Sequence, residues 1–256
     1  MIDIHTHILW GVDDGPKTSE QTMKILKLAV NDGITDIIST SHSYHPQFHV
    51  DKQRVNDQIA YLQNELNKEQ IPLTLHTGHE VHLSDKIKLH YKSKQIYTLA
   101  NSNYMLLELP SYSVPYYTTN IIRELLTIGL IPIIAHPERN YSIAKRPQLL
   151  EVLIREGAMA QITAGSIVGY FGKEVQKLSM KLIRANLIQT YGSDVHNLTT
   201  RPYCFEEGLL YLEKNKELDY VDILLENNAR IILNQPFIVH EPEKVIPAKK
   251  LNLFSR

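Results

Sequence analysis

Two histidines stand two residues apart near the start of the chain, His5 and His7. On an extended segment that spacing points both side chains to one face. A second such pair, Asp194 and His196, stands far down the chain. Between the pairs lie His42, Glu80, Glu108 and His136, and Asp14 sits in the turn-forming string Val12-Asp13-Asp14-Gly15-Pro16. The set is five histidines and four carboxylates without a cysteine. Imidazole and carboxylate are donors for Zn, Mn, Fe or Co, and mixed shells of this kind commonly hold more than one ion. Four carboxylates gathered together repel strongly unless cations sit among them. Three divalent ions would set about +6 against −4, and Arg139 and Arg201 would raise the remainder from about +2 to about +4. Arginine forks match phosphate oxygens. The charge arithmetic points at a phosphate ester.

These residues act together only if the fold gathers them. Short apolar runs beginning near Met1, Ile34, Pro72, Asn103, Ile131, Ala158 and Leu187 recur about 25–40 residues apart, the spacing of repeated βα units. Runs such as Ile131-Pro132-Ile133-Ile134-Ala135 suit parallel strands buried on both faces. Helical patterns fill the intervals. Ser19 is placed to cap a helix over Glu20–Asn31, and Asp51 opens another to about Glu69, with Val55, Ile59, Leu62 and Leu66 on one stripe. Seven such beats predict an α/β single domain, a closed or nearly closed TIM-like barrel, with a doubly wound open sheet as the alternative. His5 and His7 then close the first strand, His42 the second, Glu80 the third, Glu108 the fourth, His136 the fifth, and Asp194 with His196 the seventh. The C-terminal strand ends of an α/β barrel converge on one mouth, where active sites are built. From about Gln235 the chain changes character, with Pro236, Pro242, Pro247, Lys249 and Lys250. This divides it into a barrel over 1–235 and an extended tail over 236–256, either a loosely ordered terminus or a docking arm for another subunit.

Composition removes several classes. The 256 residues suffice for one barrel-sized core. A 43% hydrophobic share is too high for a disordered chain. With 27 basic and 28 acidic residues the net charge is −1, against nucleic acid as a partner. No apolar run nears the roughly 18 residues of a membrane span, and no basic stretch followed by an apolar one marks a secretory signal. Cys204 is the lone cysteine. A soluble cytoplasmic protein is expected.

The string His5-Thr6-His7, the Asp14 turn, Ser41-His42, Glu80, Glu108, His136-Pro137-Glu138-Arg139 and Asp194-Val195-His196 resembles the pattern of PHP-domain (polymerase and histidinol phosphatase) phosphoesterases. The opening Met-Ile-Asp-Ile-His-x-His, the Asp-Asp-Gly-Pro turn, and Ser193-Asp194-x-His196-Asn197 with Arg201-Pro202 look like one branch of it. That branch is the bacterial metal-dependent protein-tyrosine phosphatases of capsule and exopolysaccharide operons, the CpsB/YwqE type. The resemblance covers roughly residues 1 to 235, and every ligand position is filled. It implies a three-metal cluster in a distorted TIM-like (β/α)7 barrel, the PHP fold. His5, His7, Glu80 and Asp194 would hold one ion, Glu80 would bridge to a second completed by Glu108 and His136, and Asp14, His42 and His196 would hold the third. Arg139 and Arg201 would grip phosphate. Manganese would be the usual activating ion, two to three divalent ions per chain, with Zn, Fe or Co as alternatives. The implied partner is an autophosphorylated tyrosine kinase with a tyrosine-rich tail, and a homo-oligomer is left open.

The expected reaction is in-line attack of a metal-activated hydroxide on phosphotyrosine, with His136 and Asp194 beside the arginines in the catalytic set. The cysteine route is excluded by reading. Cys204 lies in Tyr203-Cys204-Phe205-Glu206-Glu207-Gly208, with Leu210 where a phosphate-binding arginine would stand, and the glutamates would raise the thiol pKa. Asp13 competes with Asp14 as the ligand. His79 and His82 are read as structural or surface residues, while His45 and His49 lie in a loop near the mouth. Tyr44 is taken as a substrate contact; Phe48, Tyr112, Tyr116, Tyr117, Tyr170 and Phe171 share its side and either clasp an aromatic ring or pack the loops. Rival readings are a histidinol-phosphate or sugar-phosphate phosphatase and a catalytically silent PHP binding module.

Overall fold

The computed structural model describes residues 1–245 of the chain. All seven expected strands are present, and two of them arrive in pieces. In chain order they are β1 (Ile2–Thr6), β2 (Asp36–Ser39), β3 (His42–Ser43), β4 (Thr74–Thr77), β5 (Glu80–His82), β6 (Tyr104–Glu108), β7 (Ile131–Ala135), β8 (Met159–Thr163) and β9 (Thr190–Gly192). Pairing is parallel throughout, in one sheet ordered β1-β2-β4 and another ordered β3-β5-β6-β7-β8-β9. The first strand meets the continuation of the last. The His7 N–H donates to Val195 O at 3.0 Å and the Asp194 N–H to His5 O at 2.8 Å. The arrangement is a barrel-like α/β fold, and the doubly wound alternative falls away.

The breaks after β2 and β4 have a local cause. Gly78 separates β4 from β5, and a Cβ there would meet Ile38 Cγ2 at 2.8 Å and Ser39 O at 3.0 Å. Thr40 meanwhile returns both its N–H and its hydroxyl to Thr6 O. His42 and Glu80 therefore begin new short strands where the sequence pattern had them end longer ones.

Helices cover the outer faces. The helix Ser19–Asn31 is capped by the Thr18 side chain, one residue before the expected Ser19, and buries Ile25, Leu26 and Ala29. Helix Lys52–Lys68 starts at the expected Asp51 cap and buries Val55, Ile59, Leu62 and Leu66. One large apolar cluster lies between these helices and the sheets. A smaller one gathers Ile4, Ile38, Leu106 and Ile133 beneath the strand ends. The register of β1 on β2 shifts between Asp3 and Thr6. That irregularity lets Ile4 join the apolar layer while the next residue, His5, still reaches Glu80 at 3.5 Å, although neighbours on a regular strand face opposite ways.

Residues 236–245 lie extended against the body. Phe237 stacks on Tyr104 at 4.3 Å, Asn227 bonds both backbone groups of Ile238, and the Glu243 N–H donates to Ala185 O at 2.8 Å. The rest of the expected tail, with Pro247, Lys249 and Lys250, lies outside the described residues.

Candidate active site

The strand ends bring the predicted donors to one place. Glu80 lies near the centre. Its carboxylate is 2.8 Å from His136 Nε2, 3.1 Å from His42 Nδ1, 3.3 Å from His7 Nε2 and 3.5 Å from His5 Nε2. Asp194 faces two ways. Its Oδ1 lies 3.3 Å from His5 and 3.5 Å from His7, while its Oδ2 accepts from Arg139 and from Arg201, each at 2.6 Å. Asp14 Oδ1 lies 3.2 Å from His196 and 3.4 Å from His42. Backbone geometry at two of these residues is costly. His136 and Asp194 adopt positive φ, 32° and 53°, a conformation that non-glycine residues hold only where their surroundings enforce it. Gly192 lets β9 run close to β1, since a Cβ there would come within 2.8 Å of His5 Cβ.

An outer layer fixes the rings. His5 Nδ1 contacts Gln161 Oε1 at 3.0 Å, His7 Nδ1 contacts Asp13 Oδ2 at 3.1 Å, and His196 Nδ1 contacts the Asp194 carbonyl at 2.9 Å. Each bond leaves Nε2 turned to the centre, the division of labour expected of metal-ligating histidines. Asp13 is thereby separated from Asp14. It is buried and spends its carboxylate on His7, the His42 N–H and the Gly15 N–H, whereas Asp14 presents its oxygen to the cluster.

The electrostatics favour cations. Burial opposes charge on Asp194, but Arg201 and Arg139, with His5 and His196, hold its carboxyl well below the usual carboxylate range. Burial likewise works against Glu80 ionisation and is outweighed by His5, His42 and His136. Burial pulls His42 down, yet Glu80 and Asp14 push it up to about 11. His7 is raised to about 9, with Asp13 and Glu80 overcoming burial. His196 moves the other way, down to about 4, through burial and the neighbouring His7.

The residues present fit divalent ions. His5 Nε2, His7 Nε2, His42 Nδ1, His196 Nε2, Glu80 Oε2 and Asp194 Oδ1 are buried and close together, yet none has a partner in hydrogen-bond geometry. Buried polar atoms are ordinarily paired, so six orphans converging from four strand ends read as donor atoms. Donor atoms within 4.8 Å of one another group as His7-Asp14-His42-His196, as His5-His7-Glu80, as His5-His136-Asp194 and as His42-Glu80-Glu108. The first two contain most of two of the expected ion sets. The set of Glu80, Glu108 and His136 is not drawn together as one group. His136 joins His5 and Asp194, and Glu108 turns to His82 at 3.2 Å. Glu108, His136, Arg139 and Asn140 do line one small cavity of about 80 Å³.

Tyr44 takes a different post from the expected one. Its ring stacks on His90 at 3.7 Å and its hydroxyl donates to Gln95 Oε1 at 2.8 Å. Of the other loop aromatics, Phe171 lies beneath the Arg139 guanidinium at 4.9 Å, while Tyr112 and Tyr116 are 80% and 94% exposed. His79 is a buried structural residue accepting the Tyr97 N–H, as expected. His82 stands two residues after Glu80, where alternation puts it on the same face, and its Nδ1 lies 3.2 Å from Glu108 Oε2. Gln161 carried no signal, being one amide on an apolar strand. Cys204 is buried, and burial together with Glu207 pushes its thiol up to about 12, which bears out its exclusion as a nucleophile.

A family model described as capsular polysaccharide synthesis, CpsB/CapC, matches residues 1–234. The chain belongs to the CpsB/CapC family. Tyrosine-protein phosphatase YwqE of Bacillus subtilis is 37% identical over 253 residues, 98% of each chain. Tyrosine-protein phosphatase CpsB of Streptococcus agalactiae is 28% identical over 243 residues, 93% of this chain and 100% of the relative. A solved structure, reported for YwqE from Bacillus subtilis and CpsB from Streptococcus pneumoniae as metal-dependent tyrosine phosphatases, superposes with TM-score 0.93 at 36% identity, covering 96% of this chain and 100% of the other. A β-aspartyl dipeptidase from Fervidobacterium islandicum shares the fold alone, with TM-score 0.55 at 13% identity over 95% of this chain and 75% of its own.

Proposed function

We propose that this CpsB/CapC-family chain is a metal-dependent protein-tyrosine phosphatase of the PHP type. The observation that carries the reading is the Asp194 carboxylate, with one oxygen on the histidine cluster and the other shared by Arg139 and Arg201. Phosphate-binding forks and metal donors are thereby joined through one side chain. The names and metal dependence of the similar phosphatases support it.

In this reading His5, His7, Glu80 and Asp194 would hold one ion, Asp14, His42 and His196 another, and Glu108 and His136 would supply a third together with Glu80. Bound divalent ions supply a lowered water pKa and neutralise phosphate oxygens. Arg139 and Arg201 hold the phosphate and stabilise the charge it develops. Asp194 keeps both guanidinium groups in register, and Asp13 and Gln161 keep His7 and His5 turned inward. Tyrosinate leaves with a pKa near 10, so this chain's residues need deliver less acid help than an alkoxide would demand. Phe171 beneath Arg139 gives an aromatic ring a neighbour at the phosphate end. The donor set of nitrogen and oxygen without thiolate suits manganese, whose place low in the affinity order makes occupancy depend on supply. The substrate proposed is a tyrosine kinase controlling capsular or exopolysaccharide synthesis. Such kinases consume ATP, which sets the encounter on the cytoplasmic side.

The test is a side-by-side measurement of kcat/KM on a phosphotyrosine peptide, histidinol phosphate, a sugar phosphate and an oligonucleotide. Preference for the peptide supports the proposal. Preference for either small phosphate moves the chain to the rival enzyme class, and inactivity on all four leaves the binding module.

A further inference from the structure

Glu108 lies closer to His82, at 3.2 Å, than to His42 of the predicted set, at 3.8 Å. It is a register partner of His82 on the neighbouring parallel strand, which places the two side chains next to each other on one face. His82 Nδ1 lies 3.2 Å from Glu108 Oε2, and the two side chains keep 16% and 12% of their surface exposed. His45 reaches the same point from the loop after β3. Its ring stands edge-on to His82 at 5.4 Å and stacks on His42 at 4.6 Å and on Phe48 at 5.5 Å. The Gln47 N–H donates to His45 Nδ1 at 3.2 Å, which leaves Nε2 as that ring's nitrogen for a ligand. One donor atom from each of His45, His82 and Glu108 lies within 4.8 Å of the other two.

We propose that His45 and His82, neither of them in the nine-residue set, join Glu108 in a further divalent-cation site at the mouth. Two histidines and one carboxylate suit zinc and leave a coordination position open. The rings reach this point by different routes, one pinned by strand register and the other by stacking. The site is therefore built by the fold and does not rest on a chance approach of surface side chains. Glu108 belongs to both sets, since its Oε2 also lies 3.8 Å from His42. A cation at the mouth adds positive charge where an anion enters, and its hold on Glu108 couples its occupancy to that of the inner cluster. The inference goes beyond the phosphatase reading and requires no turnover.

Chelator-stripped full-length protein is titrated with zinc, and bound zinc per chain is counted after desalting for wild type, His45→Ala and His82→Ala. Two-bond nitrogen–proton spectra of the histidine rings are recorded in parallel. The expected result is one zinc fewer per chain in each variant, with the His45 and His82 ring signals of wild type shifting on zinc addition. Equal counts in wild type and His45→Ala overturn the mouth site and leave the inner cluster standing. Loss confined to His82→Ala also overturns it, because His82 would then only prop Glu108. A wild type that takes up no zinc at all refutes the mouth site and the inner cluster together.

Discussion

Replacing Asp13 with asparagine tests whether the outer layer, and not the ligands alone, builds the site. Asp13 Oδ2 receives His7 Nδ1 at 3.1 Å and the His42 N–H at 3.2 Å, while Oδ1 receives the Gly15 N–H at 2.9 Å. Asparagine keeps the shape but has one acceptor oxygen, so one side of this arrangement must lose its acceptor in either amide orientation. A buried donor left unpaired costs about 1–3 kcal/mol, and each kcal/mol lowers Tm by about 2–4 °C for a chain of this size. Losing the group that orients a ligating histidine typically weakens metal binding about 10–100-fold. Asp13→Asn should therefore stay folded, melt a few degrees lower, and bind Mn²⁺ one to two orders of magnitude more weakly in calorimetric titration of the stripped protein. Excess metal should restore its turnover. An affinity within about twofold of wild type would show that His7 holds its orientation without Asp13, and the outer-layer reasoning would be wrong.

Three further outcomes are expected. In the presence of chelator, His7 has a folded pKa of about 9 against an ordinary 6.5, because Asp13 and Glu80 overcome the pull of burial. Its stabilising contribution is complete below pH 6.5 and is lost as pH rises through 9, so the Tm of the stripped protein should fall across that window. A Tm that is flat or rising there would contradict the assignment. Cys204, with its thiol pushed up to about 12 by burial and Glu207, should resist iodoacetamide at pH 8 and label only on unfolding. Rapid labelling of the native chain would show the site is open. Gly208→Ala should lower Tm by several degrees without changing metal content, because the added Cβ collides with the Tyr191 hydroxyl, which is tied to Phe205 O at 2.7 Å. Overpacking of this kind costs about 1–3 kcal/mol; an unshifted Tm would mean the helix Phe205–Lys214 can slide.

The seven strands and the gathering of the nine donors were legible because buried parallel strands announce themselves as apolar runs, and polar residues at their ends stand out. The splits at Thr40 and Gly78 were not legible, since they arise from hydrogen bonds between β1 and its neighbours and from a close approach of Gly78 to Ile38. The place of His82 on the face of Glu80 is legible, since its spacing from Glu80 matches that of His5 and His7. The register shift in β1 is invisible in the sequence, and it falls where Ile4 and His5, adjacent in sequence, serve the apolar layer and the site together. Which of Asp13 and Asp14 faces the cluster depends on a turn whose geometry is set by the His42 and Gly15 N–H groups, beyond what a run of two aspartates can tell. Gln161 acquires its role only through contact with a residue 156 positions away.

The central claim is that a gathered metal cluster and two arginines hydrolyse phosphotyrosine. Its most direct test is metal content by mass spectrometry beside hydrolysis of a phosphotyrosine peptide, with and without added Mn²⁺, for wild type and His136→Ala. The account predicts two or three ions per chain at the cluster, turnover that chelation abolishes and Mn²⁺ restores, and loss of that turnover in the variant. A folded wild type that binds no metal and stays inactive when Mn²⁺ is supplied would contradict it.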